Sequence, residues 1–278
     1  MRDFKFYLLL TMFLLVGICG QTVAFAGPVV PQYTWIPFSD KVSLEANIYY
    51  PEDAGPHPLA ILSHGRAGTE AERKTVSPGV FEKQAQWFVE RGFAVVVPVR
   101  RAYGKSGGED AEYQSPYNPY KSGLAGVADL KAVVAYMTRQ KNVDPRRLLL
   151  VGQSVGGLVS IAAASQQLNG LVGVIDFAGG YRKNLGNLDG DRELFDAFST
   201  FGRTAKVPTL WLFTPVDNYF PPYLADGMFQ AFTKAGGNAR MIGLASDLGH
   251  SFFYRSSAIA VWEPYVTEFL VSLGLVAN

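Results

Sequence analysis

Apolar and polar positions follow two distinct rhythms along this chain. Residues 42–50 alternate, with Leu44, Ala46 and Ile48 set against Ser43, Glu45 and Asn47. That is the period-two pattern of a half-buried strand near a sheet edge. The runs at 59–63, 93–97, 148–152 and 171–177 are instead continuously apolar, as strands read when helices cover both faces of their sheet. A further run at 209–214 follows Val207-Pro208, and 240–244 reads as the last strand. Helical patterns lie between the strands at 81–91, 123–140, 155–167, 222–235 and 257–273. Strands alternating with helices predict an α/β fold, with one mostly parallel, doubly covered sheet in a single domain over 27–278. Such sheets carry their chemistry at the carboxyl ends of the strands, so the residues following each strand are the ones to inspect.

The first 26 residues break the pattern. Arg2 and Lys5 flank Asp3, an apolar run spans 6–19, and the segment ends Ala24-Phe25-Ala26. A basic start, an apolar middle and a small-x-small ending predict an export signal over 1–26, cleaved after Ala26. The stretch 8–18 is short for a membrane span, which needs about 20 residues, and Ile18 is large where a lipoprotein signal needs a small residue before Cys19. The mature protein is therefore expected in the periplasm or outside the cell, free of the membrane. Cys19 is the chain's only cysteine. A mature chain starting at Gly27 has no thiol for a disulfide, a thiolate metal site or a cysteine nucleophile.

Composition narrows the partners. With 48% hydrophobic and 18% charged residues the chain has enough apolar material for a large core. Lys and Arg number 25 against 24 Asp and Glu, a formal charge of +1. Such a balance offers no electrostatic attraction for nucleic acid or an anionic membrane surface.

Candidate chemistry is concentrated after the strands. Residues 148–158 read Leu-Leu-Leu-Val-Gly-Gln-Ser-Val-Gly-Gly-Leu, which puts Gly152-x-Ser154-x-Gly156 between an apolar strand and an Ala-rich helix. This is the context of a nucleophile elbow: a sharp turn projects the Ser154 hydroxyl above the sheet, and the flanking glycines let strand and helix approach. The Val155 N–H, at the start of the helix, is then a candidate oxyanion donor. The run 59–63 ends at His64-Gly65-Arg66-Ala67-Gly68, a glycine turn able to aim backbone N–H groups at the same point. Arg66 is the candidate second donor, with Gly65 and Ala67 as alternatives.

Only three histidines are present. His57 lies between two prolines in a predicted surface turn, and His64 precedes the glycine turn as a structural residue. His250, after the last strand and before the terminal helix, is the candidate general base. The orienting acid is sought between Ser154 and His250. Asp217 follows the strand at 209–214 on a turn bounded by Pro215 and Pro221-Pro222, while Asp176 and Asp247 compete with it.

Together His64-Gly65, the elbow, Asp217, His250 and the loop Arg101-Ala102-Tyr103-Gly104-Lys105-Ser106-Gly107-Gly108 resemble the α/β-hydrolase superfamily over 42–273. The resemblance is to its dienelactone-hydrolase-like and related secreted esterase branch. It implies an α/β-hydrolase fold and a Ser154-Asp217-His250 triad that cleaves carboxylic esters through an acyl-enzyme. Dienelactone hydrolases carry a cysteine nucleophile where this chain has Ser154, which points away from dienelactone and toward ordinary small-molecule esters. A peptidase or amidase with the same triad, or a binding protein that keeps the fold, are the alternatives.

No cofactor or metal is implied. Gly104-Lys105-Ser106 lacks the glycine a phosphate-binding loop needs five residues earlier, where Val99 stands. No dinucleotide fingerprint or metal-ligand cluster appears. The segment between 177 and 207 is too short for a large cap. Tyr103, Tyr113, Tyr117, Tyr120, Tyr219, Phe220, Phe252 and Tyr254 fall in loops after strands and are candidate walls of an aromatic cleft.

Overall fold

The computed structural model describes residues 29–182, 189–245 and 247–277. The export signal expected at 1–26, with Cys19, lies outside them. The described residues build one eight-stranded sheet in the order β1-β2-β4-β3-β5-β6-β7-β8. Its strands are β1 (Gln32–Ser39), β2 (Val42–Tyr49), β3 (His57–Ser63), β4 (Ala94–Pro98), β5 (Val143–Gln153), β6 (Leu171–Phe177), β7 (Thr209–Phe213) and β8 (Ala239–Gly243). β1 and β2 are antiparallel to each other, and β2 is antiparallel to β4, while β3 to β8 pair in parallel. This is the α/β-hydrolase architecture that the resemblance implies.

The apolar runs explain the centre of the sheet. Every residue of β3, β4 and β7 is buried, because helices lie on both faces. On one face α2 (Glu82–Val89) meets α7 (Ile259–Ser272) through an edge-on contact of Trp87 and Trp262, their rings 4.8 Å apart. The other face carries α3 (Pro119–Met137), α4 (Val155–Ala164), α5 (Asp189–Thr204) and α6 (Pro222–Lys234), each packed on a neighbour. Trp211 of β7 is fully buried there against Phe198 of α5 and Phe232 of α6. Burying an aromatic side chain of this kind contributes about 1.5–3 kcal/mol. α5 is the helix between β6 and β7, in the stretch expected to leave room for no large cap.

Two expectations need correction. His57 is not in a surface turn: it opens β3, is 5% exposed, and donates its N–H to the Asn142 carbonyl. The polar face of β2 is also more covered than its alternation suggests. Glu45 is buried because the 99–107 loop folds over it, so that its carboxylate accepts from the Tyr33 hydroxyl and the Lys105 N–H while its own N–H donates to Ser106 Oγ. Gly104-Lys105-Ser106 is thus a clasp on β2. Three elements escaped the pattern altogether: α5, in the stretch read only as room for a cap, and two that bury little. β1 buries only Ile36 fully, and α1 (Glu70–Thr75) buries nothing, though its Thr69/Glu72 capping box is visible in the sequence. No helix among the described residues is long and apolar enough to cross a membrane.

Candidate active site

The carboxyl ends of β3, β5, β6 and β7 surround a cleft of about 980 Å³. Ser154 stands between β5 and α4 with φ 57° and ψ −122°, a left-handed conformation that strains a residue with a side chain by roughly 1–3 kcal/mol. The surroundings hold it there. Its N–H donates to the Phe177 carbonyl at 3.0 Å, and its carbonyl accepts from the Gly180 N–H at 3.1 Å, so the end of β6 brackets the turn. The flanking glycines are required sterically: a Cβ on Gly152 would overlap the Gly156 carbonyl, and one on Gly156 would overlap that of Ser63.

His250 lines the same cleft. Its Nδ1 lies 2.9 Å from Asp217 Oδ2. Asp217 is 2% exposed, and its Oδ1 accepts from the N–H groups of Tyr219, at 2.7 Å, and Phe220, at 2.9 Å. A carboxylate held by two amides and facing Nδ1 favours the tautomer with the ring proton on Nδ1, leaving Nε2 as the basic nitrogen. The Tyr219 and Phe220 rings pack against the imidazole at 4.6 and 5.4 Å. Two further bonds anchor the histidine loop: Gln153 Nε2 donates to the His250 carbonyl and Thr214 Oγ1 to that of Gly249. Ser154 and His250 share the cleft without hydrogen-bonding each other.

The competing acids lie elsewhere. Asp247 is exposed. Asp176 is fully buried under the elbow, packed against Gly157 and Gly179. Burial raises its pKa well above the usual carboxylate range, with the Gly179 amide turned toward it as a lesser opposing influence. Neither of its oxygens closes a good hydrogen bond among the described residues. Burial thus favours its protonated form, and no hydrogen bond joins it to His250.

Arg66 of the glycine turn and Val155 at the start of α4 line the cleft, and their N–H groups meet no acceptor among the described residues. Gly65, one of the alternatives, is committed: its N–H donates to the Tyr254 hydroxyl at 2.7 Å. His64 is structural, as expected. Its Nε2 accepts from the Arg100 N–H, so Nδ1 carries the proton and donates to the Gly65 carbonyl. Burial first, and then the charge of Arg100, lower its pKa well below the ordinary value.

Sequence reasoning missed the ionic scaffold behind this turn. Arg100, 1% exposed, pairs with the buried Glu112 and donates to the His64 carbonyl. Arg66 forks onto Asp110. The charged residues stand in a segment with no periodic signal, so only their three-dimensional pairing reveals them. Of the candidate aromatic walls, Tyr113, Tyr219, Phe220 and Tyr254 border the cleft, joined by the unforeseen Tyr181 and Arg182. Tyr103 and Phe252 are core residues, Tyr117 donates to the Tyr181 carbonyl, and Tyr120 stacks on Phe201. Among the described residues no cluster of three His, Cys, Asp or Glu side chains is placed to hold a metal.

Comparison with known proteins gives the family and the fold. The profile of the Dienelactone hydrolase family matches residues 44–268. The quorum-quenching protein AidA of Acinetobacter baumannii is 28% identical over 149 residues, 53% of this chain and 44% of that protein. An uncharacterized 31.7 kDa Escherichia coli protein is 31% identical over 132 residues, 47% of this chain and 41% of that one. The matches thus span less than half the length of these curated relatives. Among solved structures, a putative dienelactone hydrolase from Klebsiella pneumoniae superposes with a TM-score of 0.64 at 19% identity, covering 89% of this chain and 99% of that one. The Pyrococcus furiosus esterase Pf2001 gives 0.64 at 18% identity over 88% and 93%. Thermogutta terrifontis esterase 2 phosphorylated by paraoxon gives 0.63 at 18% identity over 89% and 96%. At these identities the structural likeness speaks for the fold.

Proposed function

Since the chain belongs to the dienelactone hydrolase family, we propose that it is a serine esterase that cleaves small-molecule carboxylic esters through an acyl-enzyme. The observation that carries this reading is the 2.9 Å contact of Asp217 with His250 Nδ1, on the same cleft as a serine held in a strained elbow. Ser154 Oγ attacks the ester carbonyl while His250 Nε2 takes its proton. Asp217 keeps the ring in the tautomer that can do so and stabilises the imidazolium. The charge developing on the carbonyl oxygen is met by the N–H groups of Val155, at the positive end of α4, and Arg66. Collapse of the tetrahedral intermediate passes the proton from His250 to the leaving alcohol. Water, activated by the same ring, then releases the acid.

The reading needs no cofactor, metal, nucleic acid or membrane partner. The protein is proposed to act after export, as the segment 1–26 suggests. The test is hydrolysis of p-nitrophenyl esters and the matching anilides by the wild type and by Ser154→Ala. Ester turnover abolished in the variant is the expected result. Faster anilide cleavage makes the protein an amidase, and no turnover of either series makes it a binding protein.

A further inference from the structure

The Tyr254 phenol has one lone pair engaged and a proton to place. Its oxygen accepts from the Gly65 N–H at 2.7 Å, and this is the only hydrogen bond the hydroxyl makes among the described residues. Tyr254 borders the cleft together with Gly65, Arg66, Ser154 and Val155. The position is tightly bounded: a Cβ built on Gly65 would lie 2.8 Å from Gln153 Oε1, 3.0 Å from Tyr254 Oη and 3.2 Å from Ser154 Cβ. The phenol oxygen and the nucleophile therefore flank one point at the glycine turn. The ring is also fixed, lying 4.8 Å from that of Phe81. With Gly65 on the acceptor side, the O–H donates to no acceptor among the described residues, and the residue lines the cleft.

We propose that the Tyr254 O–H is a third donor to the oxyanion, acting beside the Val155 and Arg66 N–H groups. The inference rests on the serine-hydrolase reading and adds a residue to it. A phenol suits the task for two reasons. Accepting a hydrogen bond from Gly65 polarises its O–H and strengthens it as a donor. Burial, above all, holds its pKa above the ordinary value for tyrosine, against smaller opposing effects of the Gly65 amide and Arg100, so the proton stays in place across the neutral range. Tyr254 also ties the segment after His250 to the turn after β3, and so sets three donors from separate parts of the chain around one oxygen.

Tyr254→Phe removes the hydroxyl and keeps the ring against Phe81. Loss of one oxyanion donor lowers kcat by about 10²–10³. Because two backbone donors remain, a fall of at least tenfold is expected for a p-nitrophenyl ester, with KM within threefold. Affinity for a trifluoromethyl ketone, which forms the tetrahedral adduct, should fall by a similar factor. Unchanged kcat, or a rise in KM alone, overturns the proposal. To separate donation from mere anchoring of Gly65, Tyr254 is replaced by mono- and difluorotyrosine and assayed at pH 6. Fluorine strengthens the phenol as donor and weakens it as acceptor, so kcat holds or rises if the O–H donates. A progressive fall overturns the proposal and leaves only a loop anchor. Fluorophosphonate labelling of each preparation distinguishes the two levels of the argument. An unlabelled wild type overturns the serine reading, whereas a Ser154-labelled Tyr254→Phe with full kcat overturns only the role of Tyr254.

Discussion

Replacing Asp217 with asparagine isolates the link between geometry and chemistry. Asp217 Oδ1 faces two N–H donors, from Tyr219 and Phe220, and Oδ2 faces His250 Nδ1. An asparagine in the same rotamer has one acceptor and one donor to distribute. Its carbonyl oxygen must take the side with two amides. The reverse orientation would set an NH2 against two N–H groups and leave them unsatisfied, at about 1–3 kcal/mol each. The side-chain NH2 therefore points at Nδ1, which must accept. The ring proton moves to Nε2, where His250 can no longer take a proton from Ser154. A wrong tautomer of this kind lowers kcat by up to about 10⁴-fold, equivalent to about 5.4 kcal/mol of transition-state stabilisation. The assay is kcat for a p-nitrophenyl ester at fixed pH, alongside Asp176→Asn and Asp247→Asn. Both controls should stay within several-fold of wild type. An Asp217→Asn enzyme within tenfold of wild type, or a collapse confined to either control, refutes the reasoning.

Three further outcomes follow from buried charge and from the chain's start. The folded Asp176 carboxyl keeps its proton well above the pH at which the unfolded chain loses it, so the folded state binds the extra proton. Its contribution to stability then declines as pH rises from about 4, by up to about 1.4 kcal/mol per unit while this carboxyl is ionised only in the unfolded chain. Asp176→Asn removes that slope, and urea unfolding between pH 4 and 7 should show the variant gaining on the wild type. Parallel curves would contradict it. Glu112→Gln leaves the buried Arg100 without its counter-charge and should destabilise the fold by about 3–5 kcal/mol; a urea midpoint equal to wild type would show that the pair is dispensable. Intact mass of the exported protein should begin at Gly27, and a thiol titration should find none. A mass that retains Cys19 or carries a lipid would contradict the cleavage.

Legibility of the sequence tracked the physics of each signal. Strands buried on both faces had to be continuously apolar, so β3, β4, β6 and β7 could be read with nearly their observed limits, whereas β5 begins five residues before its apolar run, at the mostly polar Val143–Arg147 stretch. β1 could not, because an edge strand that buries one residue fully has no periodic constraint. α1 is held by its capping box and buries nothing, so hydrophobic periodicity passes over it. At the site, Ser154 was visible because the elbow demands Gly152 and Gly156 for space. Asp217 was separated from Asp176 by placement alone: one carboxylate stands beyond its strand and the other ends inside it. The supports were hidden because each joins distant parts of the chain. Gln153 holds the backbone of His250 from 97 residues away, and Tyr254 reaches Gly65 across 189. A glutamine before a serine or a tyrosine after a histidine carries no local signature of either bond.

The central claim is that Ser154 is the nucleophile. It is tested most directly by treating the wild type with a fluorophosphonate and mapping the modified residue by mass spectrometry of the tryptic peptide 148–182. That peptide also contains Ser160 and Ser165, so fragment ions must localise the adduct. Stoichiometric modification of Ser154, abolished in Ser154→Ala together with ester turnover, is the predicted result. An adduct on another residue, or ester turnover that survives in Ser154→Ala, would contradict the account.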